Sequence, residues 1–305
     1  MRSHSGKAVE NQFIFSILLT GIVFLFEIIG GIWTGSLALV SDSLHVFLDL
    51  FALGLSFFAI RLSSLPADDR HTYGYHRFEV IAALINGITL GIIALGIFSE
   101  AWERWRDPQP VKGLQMLVIA VAGLILNLIV VFILRGKHEH VDHGHRHYDD
   151  LNIRSAYLHV IGDAISSFGV ILAAIIILYT GALWVDPIMS VLIGIFILFS
   201  AGRLLKKSIH ILIEGTPEDI SLEKIGETIL STPGVVEVHD LHVWSLCSGH
   251  VSLSTHALIT QQAEQERGLV LMEINRRLRQ DFQIEHTTIQ LETVIPKSNQ
   301  VIQIA

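Results

Sequence analysis

Long apolar runs dominate the chain up to about residue 213, and shorter alternating segments follow. Each long run approaches or exceeds the roughly 20 residues that a helix needs to cross a bilayer. We predict six transmembrane helices, at residues 13–33, 37–60, 80–101, 114–134, 155–179 and 187–205. Gly35 and Ser36 form a tight connection between the first two helices, and residues 180–186 form another before the sixth.

The segment after residue 214 has the pattern of a water-exposed domain. Helical periodicity appears at residues 221–230 and 263–282, and strands rich in Val, Leu and Thr are predicted at residues 235–246, 251–259 and 286–294. Thr232-Pro233-Gly234 ends the first helix, and residues 247–250 form the turn between the first two strands. The order αββαβ predicts a small ferredoxin-like domain.

The predicted fold class is therefore a membrane α-helical protein with six transmembrane helices and a C-terminal cytoplasmic α+β ferredoxin-like domain. The expected parts are an N-terminal cytoplasmic segment 1–12, a transmembrane domain 13–213 with a His-rich loop 136–150, a cytoplasmic domain 214–296 and a tail 297–305.

Lysine and arginine residues predict the orientation of the helices. Twelve of them, from Arg2 to Lys207, lie on the side of both termini and the even-numbered loops, against three, Arg104, Arg106 and Lys112, on the other. Cytoplasmic loops carry the excess of positive charge. We therefore expect a multi-pass protein of the cell membrane, of the bacterial inner-membrane kind, with both termini in the cytoplasm.

Composition agrees with a membrane protein, with 51% hydrophobic residues, 16% charged residues and a mean hydropathy of +0.54. The net charge of -8 gives no indication of nucleic-acid binding, and the single cysteine excludes an intrachain disulfide. The opening segment is polar and the first span is too long for a cleavable signal peptide. The chain has an unusually high number of histidines, sixteen, which suggests that it binds metal ions.

Two His-x-x-x-Asp pairs lie inside predicted transmembrane helices. His45 and Asp49 lie in the second span, and His159 and Asp163 in the fifth. A spacing of four places both side chains of a pair on one helix face, and ionisable groups inside a membrane mark functional sites. Two imidazoles and two carboxylates make a tetrahedral ligand set suited to zinc, whereas a single intramembrane histidine is often only a hydrogen bond between helices.

The two pairs lie at similar depths. Asp49 is twelve residues after Leu37, and Asp163 is twelve residues after Leu151, where the fifth helix is taken to begin. Each is thus roughly 18 Å from its helix start, near the middle of a hydrocarbon core about 30 Å thick. Asp42 either lines the outer exit or is a helix-start residue, and the role of Glu27 is open.

Two predicted cytoplasmic loops carry further candidate ligands. The loop after the fourth span contains His138, His140, His143, His145 and His147, and we interpret it as an exchangeable metal-collecting segment rather than a plain solvated linker. The loop after the second span offers Asp68, His71 and His76 for a second metal, although two histidines in a surface loop are common. On the predicted sheet, His286 and Glu292 share a face, and His239, His242 and His256 lie on the neighbouring strands. This placement fits a cytoplasmic metal site and a plain polar sheet face equally well.

The segments SDSLHVFLD, YLHVIGD, HDLHVWSL and HTTIQLE together resemble the cation diffusion facilitator family, in particular its bacterial zinc-efflux members, over nearly the whole chain. The resemblance implies a homodimeric antiporter that exchanges cytoplasmic zinc or related divalent ions for protons. It implies a transport site formed by His45, Asp49, His159 and Asp163. A histidine at the position of His45 implies a preference for zinc over cadmium.

The same resemblance identifies the C-terminal domain as a cytoplasmic dimerisation and metal-sensing domain. The implied ligands there are His239, His256, His286 and Glu292. Asp68 and His71 match the start of the family's loop site, but Tyr75 occupies its usual third position, with His76 next to it. Zinc is thus expected as substrate and as a structural or regulatory ligand, and the partners are protons, a second copy of the chain and the bilayer.

The residues also argue against other function classes. No H-E-x-x-H motif of a zinc hydrolase and no phosphate-binding GxxxxGKS motif is present, so we expect neither an enzyme nor ATP as the energy source. A membrane metal sensor that signals through its C-terminal domain is the alternative to a transporter. It would not need a charged site at the middle of the membrane.

Overall fold

The computed structural model describes residues 4–135, 165–247 and 249–293. Six helices belong to the apolar part of the chain, and α5 is given as far as it is described: α1 (His4–Thr34), α2 (Leu37–Ser63), α3 (Arg77–Arg106), α4 (Gly113–Arg135), α5 (Ile165–Thr180) and α6 (Val185–Leu212). They correspond to the six predicted spans, several of which extend further than their apolar runs because polar turns continue the helix beyond the apolar stretch.

Four segments are long and apolar enough to cross a membrane, namely Ile17–Thr34 within α1 and the whole of α2, α3 and α6. The apolar segments of α4 and α5, Gly113–Ile129 and Ile165–Thr180, are shorter over the described residues. Large apolar side chains such as Ile32, Phe57 and Ile92 are 62–72% exposed on these helices, as expected of surfaces that face lipid rather than water.

The C-terminal elements follow the predicted order αββαβ. They are α7 (Leu222–Leu230), β1 (Val235–Cys247), β2 (His250–Ile259), a 3-10 turn (Ala263–Glu266), α8 (Arg267–Phe282) and β3 (His286–Glu292). Ser221 caps α7 by accepting a hydrogen bond from the backbone N–H of Lys224, which is why the helix starts there.

The sheet has the order β1-β2-β3, with β1 antiparallel to β2 and β2 parallel to β3. The parallel pair requires the crossover through α8. Ile225 and Ile229 of α7 and Ile274 and Leu278 of α8 are fully buried in one apolar core with Leu253 of β2. This core fixes the strand register, and the register in turn determines which histidines meet.

The chain divides into two compact units. One comprises Met1–Leu55 and Ile85–Arg203, and the other comprises Ser56–Leu84 and Leu204–Ala305. The second unit therefore contains the ends of α2 and α3 that flank the loop 64–76, together with the sheet. The domain boundaries predicted from composition stay predictions.

Candidate metal centres

The start of α2, the helix that carries the first His-x-x-x-Asp pair, is capped by a residue far away in the sequence. Asp186 accepts hydrogen bonds from the Ser36 hydroxyl at 2.6 Å and from the backbone N–H groups of Leu37 and Ala38 at 2.7 and 3.2 Å. Free N–H groups at a helix start need such acceptors, and a carboxylate also suits the positive end of the helix dipole. Asp186 is only 1% exposed.

Arg104 of α3 completes this cap. Its Nη1 lies 3.7 Å from the Asp186 carboxylate and donates to the Gly35 carbonyl at 2.5 Å. Gly35 has a φ of +75°, and a Cβ there would lie 2.7 Å from the carbonyl oxygen of Pro110. The turn between α1 and α2 is therefore restricted to glycine, and α2 is anchored at one end.

His45 and Asp49 lie within α2, as predicted. His45 is 6% exposed, and its ring meets the edge of Phe196 of α6 at a centroid distance of 5.8 Å. Asp49 is half-buried. Their predicted partners, His159 and Asp163, lie outside the described residues, so the four-ligand set stays a prediction.

Asp42 and Glu27 are two further buried acids in the same unit. Asp42 is 3% exposed and accepts hydrogen bonds from the hydroxyls of Ser166 and Ser167 of α5, at 2.5 and 3.0 Å. Glu27 is 1% exposed, and its carboxylate packs against Gly123 of α4, which has no Cβ to clash with it. Among the described residues, neither carboxylate oxygen of Glu27 has a hydrogen-bond partner.

Three of the four predicted ligands of the C-terminal domain meet on one face of the sheet. His239 and His256 are directly paired across β1 and β2, with ring centroids 5.4 Å apart. Glu292 contacts both, with Oε1 2.7 Å from His256 Nδ1 and Oε2 3.5 Å from His239 Nε2. One ligand atom from each residue lies within 4.8 Å of the others, and modest closure would give distances of about 2 Å to a zinc ion.

His286 does not belong to this group. It pairs with Ser252, six residues before Glu292, which places it roughly 20 Å away along β3. The position nearest Glu292 on the same strand face is Gln290, whose amide donates to Glu292 Oε1 at 2.7 Å. The even spacing of His286 and Glu292 correctly predicted that they share a strand face. An even spacing says nothing, however, about the distance between them along the strand.

A bulge in β1 adds a residue that the sequence analysis missed. The register shifts between His239 and His242, and Asp240 adopts a φ of +54° there. Its carboxylate lies 3.8 Å from His256 Nε2 and 3.0 Å from His242 Nε2. An Asp in the left-handed region is a recognisable bulge signal only once the strand pairing is known.

The structure separates His76 from the other two residues of the predicted loop site, Asp68 and His71. Asp68 accepts hydrogen bonds from the backbone N–H groups of Arg70 and His71 and, at 2.8 Å, from the Tyr75 hydroxyl, and His71 Nδ1 is 3.2 Å away. The pKa of Asp68 is lowered to about 2, mainly because the Tyr75 hydroxyl donates this hydrogen bond to its carboxylate. Tyr75 thus orders the loop through this hydrogen bond.

His76 has different neighbours from Asp68 and His71. Its ring stacks on that of His250 with centroids 4.4 Å apart, and His76, Cys247 and His250 each present a ligand atom within 4.8 Å of the others. The sequence analysis took residues 247–250 only as a turn. The signal was a cysteine and a histidine on either side of a two-residue turn. The His-rich loop with His138, His140, His143, His145 and His147 lies outside the described residues.

Comparison with known proteins places this chain among metal transporters. The family described as the cation efflux transmembrane domain matches residues 13–213, and the one described as the cation efflux protein cytoplasmic domain matches residues 217–294. The cadmium, cobalt and zinc/H(+)-K(+) antiporter of Bacillus subtilis is 42% identical over 293 residues, 95% of this chain and 91% of that protein.

Other relatives show similar agreement. The metal cation efflux system protein CzcD of Cupriavidus metallidurans is 40% identical over 93% of this chain and 86% of its own length. The zinc transporter ZitB of Escherichia coli is 37% identical over 92% of this chain and 87% of its own length. The solved metal-bound C-terminal domain of the CzcD transporter is 41% identical and covers 24% of this chain and 99% of that structure, with a TM-score of 0.23.

Proposed function

This chain belongs to the cation efflux family, the cation diffusion facilitators that its motifs resemble, and on that premise we propose that it exports zinc from the cytoplasm in exchange for protons. Family membership makes it a membrane transporter for metal cations and not an enzyme. Relatives named as zinc transporters and as cadmium, cobalt and zinc antiporters support zinc as the substrate.

One observation carries the proposal. His45 is buried inside an apolar helix of 27 residues, and Asp49 follows it one turn later on the same side. A buried imidazole beside a carboxylate in a membrane helix has a high desolvation cost and little packing value, so it is best explained as a ligand pair. We propose that His159 and Asp163 supply the other two ligands of a tetrahedral zinc site.

Proton exchange follows from the ligand chemistry. Zinc binds neutral imidazole and ionised carboxylate, so binding must release protons, and protonation of His45 or His159 from the other side must weaken the site. Histidine titrates near neutral pH, which suits this competition. Alternating access would come from rocking of the helices around a fixed site near the middle of the membrane.

The cytoplasmic domain supports a second role for zinc. His239, His256 and Glu292 form a preorganised set of two nitrogens and a carboxylate, which suits zinc. We propose that zinc bound there regulates or stabilises a homodimer formed through this domain. We also propose that the protein lies in the bacterial inner membrane with both termini in the cytoplasm, and that the loop from His138 to His147 collects metal.

The test is zinc uptake by purified protein in proteoliposomes with an acidic lumen. We expect zinc to accumulate inside, with at least a several-fold loss of the initial rate when a protonophore collapses the pH gradient. Empty liposomes give the background. A sensor would bind zinc without moving it, so binding without uptake would contradict the proposal and favour a membrane metal sensor.

Metal selectivity gives a second test, through His45→Asp. The substitution leaves one nitrogen and three oxygen ligands and removes the longer imidazole, so the site becomes larger. Softness alone predicts weaker cadmium binding, but a looser site accepts a larger ion, and we expect geometry to prevail. Paired uptake assays should show zinc transport retained and the zinc-to-cadmium ratio lowered about tenfold, which corresponds to roughly 1.4 kcal/mol. An unchanged ratio would mean that His45 does not set selectivity.

A further inference from the structure

The hairpin between β1 and β2 places the only cysteine of the chain beside a histidine. Cys247 and His250 are directly paired where the two strands meet, and Cys247 Sγ lies 3.3 Å from His250 Nδ1. Gly249, with a φ of +84°, makes the short turn possible. Cys247 is 2% exposed, whereas His250 is exposed.

His76 adds a third ligand from a different part of the same compact unit. It immediately precedes α3, and its ring stacks on that of His250 with an angle of 28° between the planes. The three ligand atoms, one sulfur and two imidazole nitrogens, lie within 4.8 Å of one another. Cys247 and His76 are 171 positions apart in the sequence, so the fold of this unit brings them together and not a local turn.

We propose that His76, Cys247 and His250 form a binding site for a divalent cation of the zinc type, separate from both the transport site and the His239 site. A thiolate with two imidazoles selects zinc, cobalt or cadmium over magnesium and calcium, which prefer oxygen ligands. A metal bound there would link the start of α3 to the end of the β1–β2 hairpin. The proposal does not depend on the midplane site.

Glu79 supplies a negative charge beside this cluster. It is in hydrogen-bonding contact with the Cys247 thiol, and its Oε1 accepts a hydrogen bond from the Ser63 hydroxyl at 2.7 Å. Burial, reinforced by the Glu79 carboxylate, raises the pKa of Cys247 to about 11. Cations of the zinc type bind the thiolate, so metal binding at Cys247 must displace the thiol proton. When a cation is bound, the Glu79 carboxylate stabilises it, either as the fourth ligand or as a neighbouring negative charge.

Cobalt titration of the purified, metal-free full-length protein tests the site. A cobalt–thiolate bond gives an intense near-ultraviolet charge-transfer band, and only Cys247 can provide a thiolate in this chain. The transport site and the His239 site have only nitrogen and oxygen ligands, so they do not contribute to that band. We expect the band to grow with added cobalt until it saturates, and to disappear when zinc is added.

Three variants make the test specific. His76→Ala and His250→Ala should each weaken the cobalt affinity read from the band by at least tenfold, while Arg70→Ala, an exposed residue in the same loop as His76, should match the wild type. Circular dichroism checks that each variant is folded. Absence of the band in the wild-type protein at saturating cobalt would overturn the proposal. A folded His76→Ala or His250→Ala variant that binds cobalt like the wild type would overturn it equally.

Discussion

Zinc transport should fall to the level of empty liposomes in Asp163→Ala and in Asp49→Asn, while both proteins remain folded in the membrane. Each change removes one of two carboxylates from the proposed four-ligand set. The two imidazoles and one carboxylate that remain bind zinc more weakly than the full set of four ligands. They also no longer balance the charge of the ion in the low-dielectric interior of the membrane protein. The loss should exceed tenfold in initial uptake rate under the same pH gradient.

The asparagine variant separates charge from shape, because it keeps the size of the Asp49 side chain. Ser43→Ala is the matched control. Ser43 is a fully buried polar residue of the same helix, and its hydroxyl donates to the Val40 carbonyl one turn away. This variant should transport at nearly the wild-type rate. Normal zinc flux in purified Asp163→Ala or Asp49→Asn would refute the midplane site.

Asp186→Ala should strongly destabilise the transmembrane part of the protein. The substitution leaves the N–H groups of Leu37 and Ala38 and the Ser36 hydroxyl without their acceptor. It also removes one of the two carboxylates near Arg104, which is 18% exposed and keeps its ion pair with Glu100. Loss of a helix cap costs about 1–2 kcal/mol, and a buried polar group left unsatisfied costs about 1–3 kcal/mol. Because the cap and the unsatisfied groups are the same atoms here, the two costs overlap and do not add. A cost near 3 kcal/mol would lower Tm by roughly 6–12 °C.

Thermal unfolding in detergent measures this effect. Asp186→Asn keeps one carbonyl acceptor but loses the charge, so its Tm should lie between those of the wild type and the alanine variant. Asp107→Ala is the control, since Asp107 is an exposed aspartate in the short loop between α3 and α4. If Asp186→Ala unfolds at the same temperature as Asp107→Ala, the cap does not anchor α2.

The sequence by itself determined the six apolar helices, the αββαβ order and the identity of His45, Asp49, His239, His256 and Glu292 as candidates. Hydrophobic periodicity and run length are local properties, so they can be read from neighbouring residues. The spacing of four in the His-x-x-x-Asp pairs and the even spacing along β3 are local as well. Both describe which side chains share a face. For His45 and Asp49 on α2 and for β3 they agree with the described helix and sheet, whereas the His159 and Asp163 pair stays a prediction.

Only the tertiary structure decided which distant residues meet. Strand pairing excluded His286 from the His239 group, because an even spacing sets the face of a strand but not the distance along it. The cap of α2 by Asp186 and the approach of His76 to Cys247 join residues 150 and 171 positions apart, and no local pattern encodes them. Such contacts depend on how whole helices and strands pack, which is a property of the complete fold.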